Sequence, residues 1–394
     1  MANNTGLSSA KEAKKDEFYT RWEEIELEVN AYLEYDPDVF RGKTILLPAD
    51  DPFESNFFKF FATHFNDYGL KKLISTSYDP SPIVNTQLKL SLFDDSTDVK
   101  QGDTKKFSRA YKIELTSVDD FDHNGRVNID DVELALINER KKIDSGKKSS
   151  ILSFLNGDAN PDGKSTFSAG DFRSQEVTAL KDEADMIITN PPFSLFRDFM
   201  AWVNPNEKKF LILGNVNAVS YKEVFPLFQN NVIWFGSSIH SGDRIFYVPD
   251  SYPLDAAGSG VDANGRRYIR VKGVRWYTNL DHGRRHQPLS LMSKADNLKF
   301  NQQLLKKFKK DFDMADYPHY DNYDALEVPF TSAIPGDYPG VMGVPLTFLD
   351  KYNPEQFEII GLDRYTVPKE YLVGGRVAIN GKPRYARILI KKRS

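Results

Sequence analysis

The sequence predicts an α/β fold built on a doubly wound, mostly parallel β-sheet. Short apolar runs rich in β-branched residues alternate with segments whose apolar residues recur at helical spacing, and this alternation is typical of a parallel sheet covered by helices. The clearest unit is the run Met186–Ile188, followed by a proline-rich loop and a helical pattern from Leu195 to Met200. At 394 residues the chain can bury a sizeable core and form two domains or one enlarged domain.

The other elements follow in order along the chain. A helix is predicted from Lys14 to about Leu33, where apolar residues recur at helical spacing. A second helix is predicted over residues 55–61, with Ser55 as a suitable N-cap. Further strands are predicted at Lys43–Leu47, Lys71–Ser77, Ser168–Phe172 (the end of the third strand), Phe210–Leu213, Val232–Phe235 and Arg244–Val248.

The composition excludes some classes of site and location. The chain contains no cysteine, which rules out disulfides and thiolate zinc sites. Residues 1–15 are polar and no apolar run approaches the length of a membrane span, so we expect a cytoplasmic protein without a secretory signal. The formal net charge of −4 is not typical of nucleic-acid-binding proteins, so any DNA contact needs local basic patches.

Asn190, Pro191, Pro192 and Phe193 form a stiff loop after the 186–188 strand. Each proline lacks a backbone N–H and has its φ fixed, so the strand stops at Asn190. In an α/β sheet this loop lies at the carboxyl ends of the strands, where ligands bind. The Asn190 amide oxygen and the Pro191 carbonyl can accept the two hydrogens of an exocyclic amine such as adenine N6, which favours a pyramidal nitrogen aimed at a methyl donor. The Phe193 ring offers a face on which a base can stack, worth about 1–3 kcal/mol in single-strand binders. The alternative is an ordinary strand-ending turn with a core phenylalanine.

The same loop resembles a known catalytic motif. Asn-Pro-Pro-Phe after a strand is similar to the motif of amino-methyltransferases that use S-adenosylmethionine, in its adenine-N6 version. More narrowly, the chain resembles the EcoRI-type adenine-specific DNA methyltransferases, through blocks spaced in one order and interrupted mainly around residues 100–165. These blocks are Asp16-Glu-Phe-Tyr-Thr20, Asp50-Asp-Pro52, Ser55-Asn-Phe-Phe-Lys59, Gly170-Asp-Phe-Arg-Ser174, Asn190-Pro-Pro-Phe-Ser-Leu-Phe-Arg197, Tyr320-Asp-Asn-Tyr-Asp-Ala325, Gly340-Val-Met-Gly-Val-Pro345 and Asn353-Pro-Glu-Gln-Phe357.

The resemblance implies a first group of residues that bind S-adenosylmethionine. Phe18 and Tyr19 match the family's N-terminal cofactor block, although on an amphipathic helix they are also plausible core aromatics. Asp171, followed by Phe172, matches the position that contacts the cofactor's adenine. The fold that the resemblance implies is therefore a Rossmann-like methyltransferase core.

Acids at the ends of the first two strands form a second group. Asp50-Asp51-Pro52 stands where most methyltransferases of this fold have glycines, a departure that the EcoRI-type subgroup shares. Asp50 or Asp51 would accept hydrogen bonds from the methionine amino group, and the alternative is a carboxylate that caps a helix. Asp79 lies just past the second strand, where an acid often holds ribose hydroxyls. A surface aspartate is the alternative there.

A segment between the second and third strands fits a calcium loop of the EF-hand or dockerin-like type. Its ligand spacing matches positions 1, 3, 5, 7, 9 and 12 of such a loop, with glycine at the sharp turn and aspartate in place of the usual last glutamate. The predicted Ca²⁺ is structural, and the alternative is a polar surface turn that merely resembles the loop. The ligands would be Asp120, Asp122, Asn124, the Arg126 carbonyl, Asn128 and Asp131.

Cations interleaved with aromatic residues are densest between residues 266 and 286. Such a mixture suits contacts to phosphates and bases, so we predict a surface that binds duplex DNA, with a solvated basic face as the alternative. The predicted DNA-binding residues are Arg266, Arg267, Arg270, Lys272, Arg275, Arg284 and Arg285. We accordingly predict a methyltransferase core over 1–101 and 165–260, a calcium-binding insertion over 102–164 and a DNA target-recognition region over 261–394.

The combined prediction is a site-specific enzyme that transfers a methyl group from S-adenosylmethionine to N6 of an adenine flipped out of duplex DNA. Flipping costs roughly a few kcal/mol, which the loop would partly offset. A cognate restriction endonuclease that acts on the same site is the expected protein partner. One alternative is methylation of RNA or of a protein glutamine, which uses a similar loop. Another is a DNA-binding module without catalysis, since the turn after the first strand lacks glycine; a cofactor titration separates the last case.

Overall fold

The computed structural model describes residues 20–48, 50–78, 110–121, 123–159, 166–248, 252–255 and 258–393. The chain divides into two compact units, with residues 1–214 and 241–280 in unit 1 and residues 215–240 and 281–394 in unit 2. Within the described part, no helix combines the length and apolar character needed to cross a membrane.

The α-helices are α1 (Trp22–Tyr35), α2 (Asn56–Thr63), α3 (Ile129–Asp144), α4 (Gln175–Glu183), α5 (Phe196–Val203), α6 (Phe225–Gln229), α7 (Lys294–Phe300), α8 (Gln302–Phe312) and α9 (Asp363–Thr366). The strands are β1 (Thr44–Leu47), β2 (Lys72–Thr76), β3 (Tyr111–Leu115), β4 (Leu152–Phe154), β5 (Asp158–Ala159), β6 (Thr166–Phe167), β7 (Met186–Thr189), β8 (Lys209–Asn215), β9 (Trp234–Phe235), β10 (Asp243–Tyr247), β11 (Gly260–Val261), β12 (Arg267–Lys272), β13 (Val274–Thr278), β14 (Leu326–Glu327), β15 (Met342–Pro345), β16 (Phe357–Leu362), β17 (Ala378–Ile379), β18 (Lys382–Pro383) and β19 (Arg387–Lys392).

Unit 1 is an α/β structure around a large mixed sheet. Its strands lie in the order β4-β3-β2-β1-β7-β8-β13. β1 is parallel to β2 and to β7, and β7 is parallel to β8. β3 runs antiparallel to both β2 and β4. The predicted α/β class is therefore confirmed, and its parallel part is the group β2-β1-β7-β8 at the middle of the sheet.

The predicted third parallel strand, ending at Ser168–Phe172, is wrong. Gly170 has a φ of 79° and the Asp171 N–H bonds to the Ser168 carbonyl at 3.0 Å, so the chain turns at this point. The residues just before the turn, Thr166–Phe167, form the short strand β6, which pairs only with β5 in its own sheet. Beside β2 the sheet continues instead with antiparallel β3.

The predicted domain limits stay predictions, but the structure shows how the segments concerned are used. β3, α3 and β4 all lie within residues 102–164, and the two strands extend the main sheet, so this segment is continuous with the core of unit 1. β10, β11 and β12 form a separate antiparallel sheet of unit 1. The strands predicted at Val232–Phe235 and Arg244–Val248 correspond to β9 and β10.

Unit 2 contains a sheet with the order β14-β15-β19-β16. This sheet carries a buried charge pair, because Arg387 on β19 donates from Nε and Nη2 to the two carboxylate oxygens of Glu327 on β14, at 3.0 and 2.6 Å. The Tyr320 hydroxyl donates to the same carboxylate at 2.5 Å. A buried carboxylate needs this kind of complete pairing, so the network fixes β14 against β19.

Candidate active site

The loop Asn190–Phe193 follows β7, a fully buried strand of unit 1. All four residues of β7 are buried, and the strand lies between β1 and β8, which explains its uniformly apolar run before Thr189. After the two prolines, Phe193–Leu195 form a single 3₁₀ turn that leads into α5, and the Leu195 N–H bonds to the Pro192 carbonyl at 3.0 Å. The predicted sequence of strand, stiff loop and helix is thus confirmed.

Thr189 fixes this loop to the loop that follows β1. Its hydroxyl lies 3.0 Å from the Pro48 carbonyl oxygen and is also within hydrogen-bonding distance of the Asp50 carboxylate. Thr189 is fully buried, so water cannot replace these contacts. The position of Asn190 is therefore coupled directly to Asp50.

On the other side of the loop, Gly214 at the end of β8 lets two aromatic rings come together. Phe196, the first residue of α5, packs against Tyr277 with ring centroids 4.9 Å apart. A Cβ at Gly214 would lie 2.4 Å from the Phe196 ring, closer than real side chains approach one another. The start of α5 is thereby pressed onto the sheet immediately after the Asn-Pro-Pro-Phe loop.

Asp50, in the loop that follows β1, forms hydrogen bonds with several neighbouring elements. Its carboxylate accepts from the Ser55 hydroxyl at 2.8 Å, in addition to its contact with Thr189. Ser55 also caps α2, because its oxygen accepts the N–H groups of Phe57 and Phe58. The Ser75 hydroxyl of β2 donates to the Asp50 carbonyl. One residue thus connects the ends of β1, β2 and β7 to the start of a helix.

Asp51 is hydrogen-bonded to Tyr111, a residue that no sequence pattern singles out. The Tyr111 hydroxyl of β3 lies 2.8 Å from both Asp51 carboxylate oxygens, and the Phe53 N–H donates to one of them at 2.9 Å. Burial raises the pKa of Asp51, although the bonds from Tyr111 and Phe53 partly oppose this shift. Pro52 follows in the same turn and is buried.

Asp171 lies in the turn that replaces the predicted strand end. A Cβ at Gly170 would meet the Ser77 carbonyl oxygen at 1.9 Å, so the turn packs directly on the end of β2. The Asp171 carboxylate accepts two bonds from the Arg173 guanidinium, at 2.9 and 2.7 Å. Phe172 is buried, with its ring centroid 5.1 Å from that of Phe199.

These observations bring most of the predicted cofactor residues to one edge of unit 1. β2, β1 and β7 are adjacent and parallel, so their carboxyl ends meet at the same edge of the sheet. The contacts above connect Asp171 to the end of β2, Asp50 to the end of β1 and Asn190 to the end of β7. Phe18, Tyr19 and Asp79 lie outside the described residues.

Sequence reasoning missed the side chains that hold this arrangement, namely Thr189, Tyr111, Ser75 and Arg173. Thr189 carried a usable signal, because a hydroxyl at the end of an otherwise apolar buried strand needs a hydrogen-bond partner. Tyr111 carried none, since its partner is 60 residues away in sequence.

The predicted calcium loop has a compact internal hydrogen-bond pattern. Asp120 accepts the N–H groups of Asn124 and Gly125, at 3.1 and 2.7 Å. Asp131 is almost fully buried and accepts the N–H groups of Phe121 and Asn128, which makes it part of a capping box at the start of α3. Asp122 lies outside the described residues.

Within the described ranges of the chain, no group of three or more histidine, aspartate or glutamate side chains is placed to hold a metal ion. The backbone carbonyl of Arg126 and the side chain of Asn128 belong to the same short loop, where Asn128 accepts the Asp130 N–H at 2.7 Å. Calcium binding therefore stays a prediction from the spacing alone.

The predicted DNA-binding patch is divided between the two units, since Arg266 to Arg275 belong to unit 1 and Arg284 and Arg285 to unit 2. Arg270 and Lys272 are exposed on β12. Arg266 is exposed but forms an ion pair with Asp262, at 2.9 Å.

Burial disfavours a DNA contact for some of the other arginines in this set. Arg275 is only 3% exposed and donates to the Val274 carbonyl at 2.8 Å. Arg285 is 9% exposed and lies over the Trp234 ring, 3.7 Å from its centroid. Arg267 is half-buried and donates to the Tyr252 carbonyl at 2.7 Å. These side chains pack within their own units, and their contact with phosphates stays a prediction that the structure does not support.

Comparison with known proteins matches the whole chain to one family. The model of the adenine-specific methyltransferase EcoRI family matches residues 6–393. The chain is 39% identical over 393 residues to the type II methyltransferase M.EcoRI of Escherichia coli, covering 100% of this chain and 98% of that protein. It is 32% identical to the type II methyltransferase M.MgeORF184P of Mycoplasma genitalium and 30% identical to M.MpnI of Mycoplasma pneumoniae, with 98% of each chain covered in both cases. No solved structure matches the chain.

Proposed function

The chain belongs to the EcoRI family of adenine-specific methyltransferases, and from this premise we propose that it transfers a methyl group from S-adenosylmethionine to N6 of an adenine at a specific site in duplex DNA. Its relatives are type II methyltransferases by name. The observation that supports the chemistry most directly is the buried strand β7, which ends at Thr189 immediately before Asn190 and is fixed to Asp50 through Thr189.

The side chains at the carboxyl edge suit the proposed cofactor in charge and hydrogen-bonding type. S-adenosylmethionine, when bound, supplies a methyl group activated by a sulfonium. Its ammonium and hydroxyl groups are donors, and the carboxyl oxygens of Asp50, Asp51 and Asp171 can accept from them. The three carboxylates are largely buried, which strengthens their interaction with a cationic partner.

Asn190 and Pro191 would act on the target base. The amide oxygen and the carbonyl accept the two amine hydrogens, which keeps the N6 lone pair directed out of the ring plane. Phe193 is half-buried at the start of the 3₁₀ turn and would stack on the base once it leaves the duplex. In this mechanism the chain contributes position and electrostatic stabilisation rather than a strong base.

The direct test is to treat unmethylated DNA with the purified protein and S-adenosylmethionine, and then to sequence the methylated adenines. We expect N6-methyladenine at one short recurrent sequence. Methylation at cytosine, or in RNA only, would contradict the proposal. A DNA-binding module without catalysis would bind the duplex but show no saturable binding of S-adenosylmethionine in calorimetry.

Two finer parts of the proposal have their own tests. We propose that a cognate restriction endonuclease acts on the same DNA site. DNA methylated by the protein should then resist cleavage by that endonuclease. A structural Ca²⁺ in the loop 120–131 is retained only as a prediction from its spacing, and calorimetric titration of metal-free protein with calcium chloride decides it.

A further inference from the structure

Unit 2 contains a wide cleft that none of the sequence motifs pointed to. It has a volume of about 1150 Å³ and lies between α6 and the segment 362–376. Apolar side chains, among them Phe225, Val367 and Leu372, contribute to its walls. We call it the Arg364 cleft.

The cleft is strongly cationic. Lys222, Arg364, Lys369 and Arg376 are among its lining residues, and no carboxylate is. Of these four, Arg376 approaches a buried acid, with its Nη1 atom 3.5 Å from Asp363. The other three form no ion pair with any residue that the structure describes. Three cations without an ion-pair partner in the described part of the chain, with Arg376 beside them, line one open space and repel one another, so the cleft favours an anionic occupant.

The walls are fixed by hydrogen bonds within unit 2, which makes the cleft a preformed feature. The Tyr365 hydroxyl donates to the Ser220 carbonyl at 2.8 Å. Gln229 at the end of α6 donates to the Ile360 carbonyl of β16, also at 2.8 Å. Both bonds join the 215–240 segment of unit 2 to the segment that carries Arg364.

A tight turn closes one side of the cleft. Val373 and Arg376 exchange two backbone hydrogen bonds, at 3.0 and 3.1 Å, around Gly374 and Gly375. Both glycines have positive φ, 56° and 74°, as in the two-residue turns that join tight hairpins. A Cβ at Gly375 would have no atom within 4 Å, so the backbone of this turn is open to a ligand.

Size and openness favour a segment of a polymer over a small molecule. Pockets for small ligands are usually enclosed and measure about 300–1,000 Å³, and this cleft exceeds that range. An exposed aromatic ring, Tyr365, lies beside Arg364, whose guanidinium carbon is 5.9 Å from the ring centroid. Cations with apolar and aromatic surface suit the phosphates and sugars of a nucleic-acid backbone.

We propose that the Arg364 cleft binds the sugar-phosphate backbone of the substrate DNA, through Lys222, Arg364, Lys369 and Arg376. This inference rests on the proposed function, because it takes duplex DNA as the substrate. It adds a DNA contact in unit 2 that is separate from the exposed cations of β12 in unit 1. It also gives a role to the C-terminal segment 363–393, which contains nine arginines and lysines but only two carboxylates.

The test measures DNA affinity as a function of salt for the double variant Arg364→Gln/Lys369→Gln. The probe is a short fluorescently labelled duplex, first of arbitrary sequence and then containing the site mapped by methylated-adenine sequencing. Each lost phosphate contact should reduce the slope of the logarithm of the binding constant against the logarithm of salt by about 1, so the double variant should lose about 2. We also expect at least about tenfold weaker binding at low salt.

Two control variants make the result specific. Lys299→Gln/Lys351→Gln removes the same net charge from exposed positions of unit 2 outside the cleft, and it should leave the salt slope within experimental error of the wild type. Arg364→Lys/Lys369→Arg keeps both charges and should retain most of the slope. Melting temperature and affinity for S-adenosylmethionine, measured for every variant, separate loss of the cleft from loss of the fold.

The possible results distinguish failure of the cleft proposal from failure of the proposed function. An unchanged salt slope in a folded Arg364→Gln/Lys369→Gln variant, or the same loss in the control double variant, overturns the proposal. Weaker binding to single-stranded RNA with unchanged binding to duplex DNA overturns it as well. If the wild-type protein methylates adenine in DNA but the cleft variant binds normally, only the cleft proposal fails. If the wild-type protein methylates no DNA, the proposed function itself fails.

Discussion

Thr189→Val should test whether the catalytic loop is positioned through Asp50. Valine has nearly the same shape as threonine, so the change removes the hydroxyl from a fully buried site without opening a cavity. The Thr189 hydroxyl contacts one oxygen of the Asp50 carboxylate, and the Ser55 hydroxyl contacts the other. The substitution removes this hydroxyl donor from one oxygen of a buried carboxylate.

The expected magnitude follows from these contacts. A hydrogen bond to a charged group contributes about 1.5–3 kcal/mol, and a buried acceptor left without its donor loses most of that. We therefore expect the free energy of unfolding to fall by about 1.5–3 kcal/mol. Because Thr189 immediately precedes Asn190, turnover should also fall, and a displacement of about 1 Å can cost roughly 10²-fold in rate.

The assay is a double-mutant cycle with Asp50→Asn, read out by urea unfolding and by turnover at saturating S-adenosylmethionine. Thr189→Val and Asp50→Asn should couple by roughly 0.5–3 kcal/mol, as expected for residues in direct contact. Ser75→Ala is the matched control, since it removes another buried hydroxyl that contacts the Asp50 carbonyl rather than its carboxylate. It should couple weakly with Asp50→Asn and lower turnover less than Thr189→Val does.

A coupling energy indistinguishable from zero would refute the reasoning, because it would mean that Thr189 and Asp50 act independently. Equal coupling for Thr189→Val and Ser75→Ala would do the same. In either case Asn190 would have to be positioned by other contacts.

Three further outcomes are expected. Asn190→Ala should lower turnover by roughly 10²–10³-fold, the usual effect of losing one group that stabilises a transition state. The affinity for S-adenosylmethionine, measured by calorimetry, should stay nearly unchanged. If the variant retains most of its turnover, the assigned mechanism is excluded. Burial raises the pKa of Asp51, so the Asp51 carboxyl group keeps its proton to higher pH in the folded state than in the unfolded state. The resulting contribution of Asp51 to folding stability is fully present below the unfolded pKa of about 3.9, and it is lost as pH rises through the folded pKa. The difference in melting temperature between Asp51→Asn and the wild type should therefore move in favour of the variant as pH rises from about 4, and a difference that is constant with pH would contradict the shift. In metal-free protein, Asp131→Ala should lower the free energy of unfolding by about 0.5–2 kcal/mol through loss of the capping box, measured by urea unfolding, and an unchanged midpoint would show that the box contributes nothing.

The local parts of the fold could be predicted from the sequence, whereas the order of the strands could not. The β7 strand, the loop Asn190–Phe193 and the start of α5 follow from an apolar run, two prolines and helical spacing, all of which act within a few residues. The position of β3 beside β2 depends on pairing across residues 77–110, and no local pattern encodes a pairing partner. The prediction of a third strand ending at Ser168–Phe172 is wrong for the same reason, because the residues of that segment do not show which strand lies beside β2.

In the candidate site, too, the types of the functional residues could be predicted from the sequence, whereas their hydrogen-bond partners could not. Aspartate and asparagine at strand ends indicate a ligand-binding edge whatever their neighbours are, and Asp50 and Asn190 could be selected on that basis. Asp171 is predicted from the family resemblance. The residues that hold them are identified only by tertiary contacts. Arg285 shows the opposite ambiguity, because cations interleaved with aromatic rings are typical both of DNA-binding surfaces and of buried cation–π pairs such as Arg285 with Trp234.

The net charge of −4 is consistent with DNA binding when cations are concentrated in a few places. Non-specific affinity for DNA is almost entirely electrostatic and independent of sequence, so every cation that reaches a phosphate strengthens binding at all sites alike. A site-specific enzyme depends on the ratio of specific to non-specific binding rather than on affinity alone. Cations confined to surfaces such as the Arg364 cleft contribute where the DNA backbone must be positioned, and a negative net charge limits non-specific attraction to DNA. The cleft should therefore affect how firmly the DNA is held, while discrimination between sequences must come from side chains that reach the base edges.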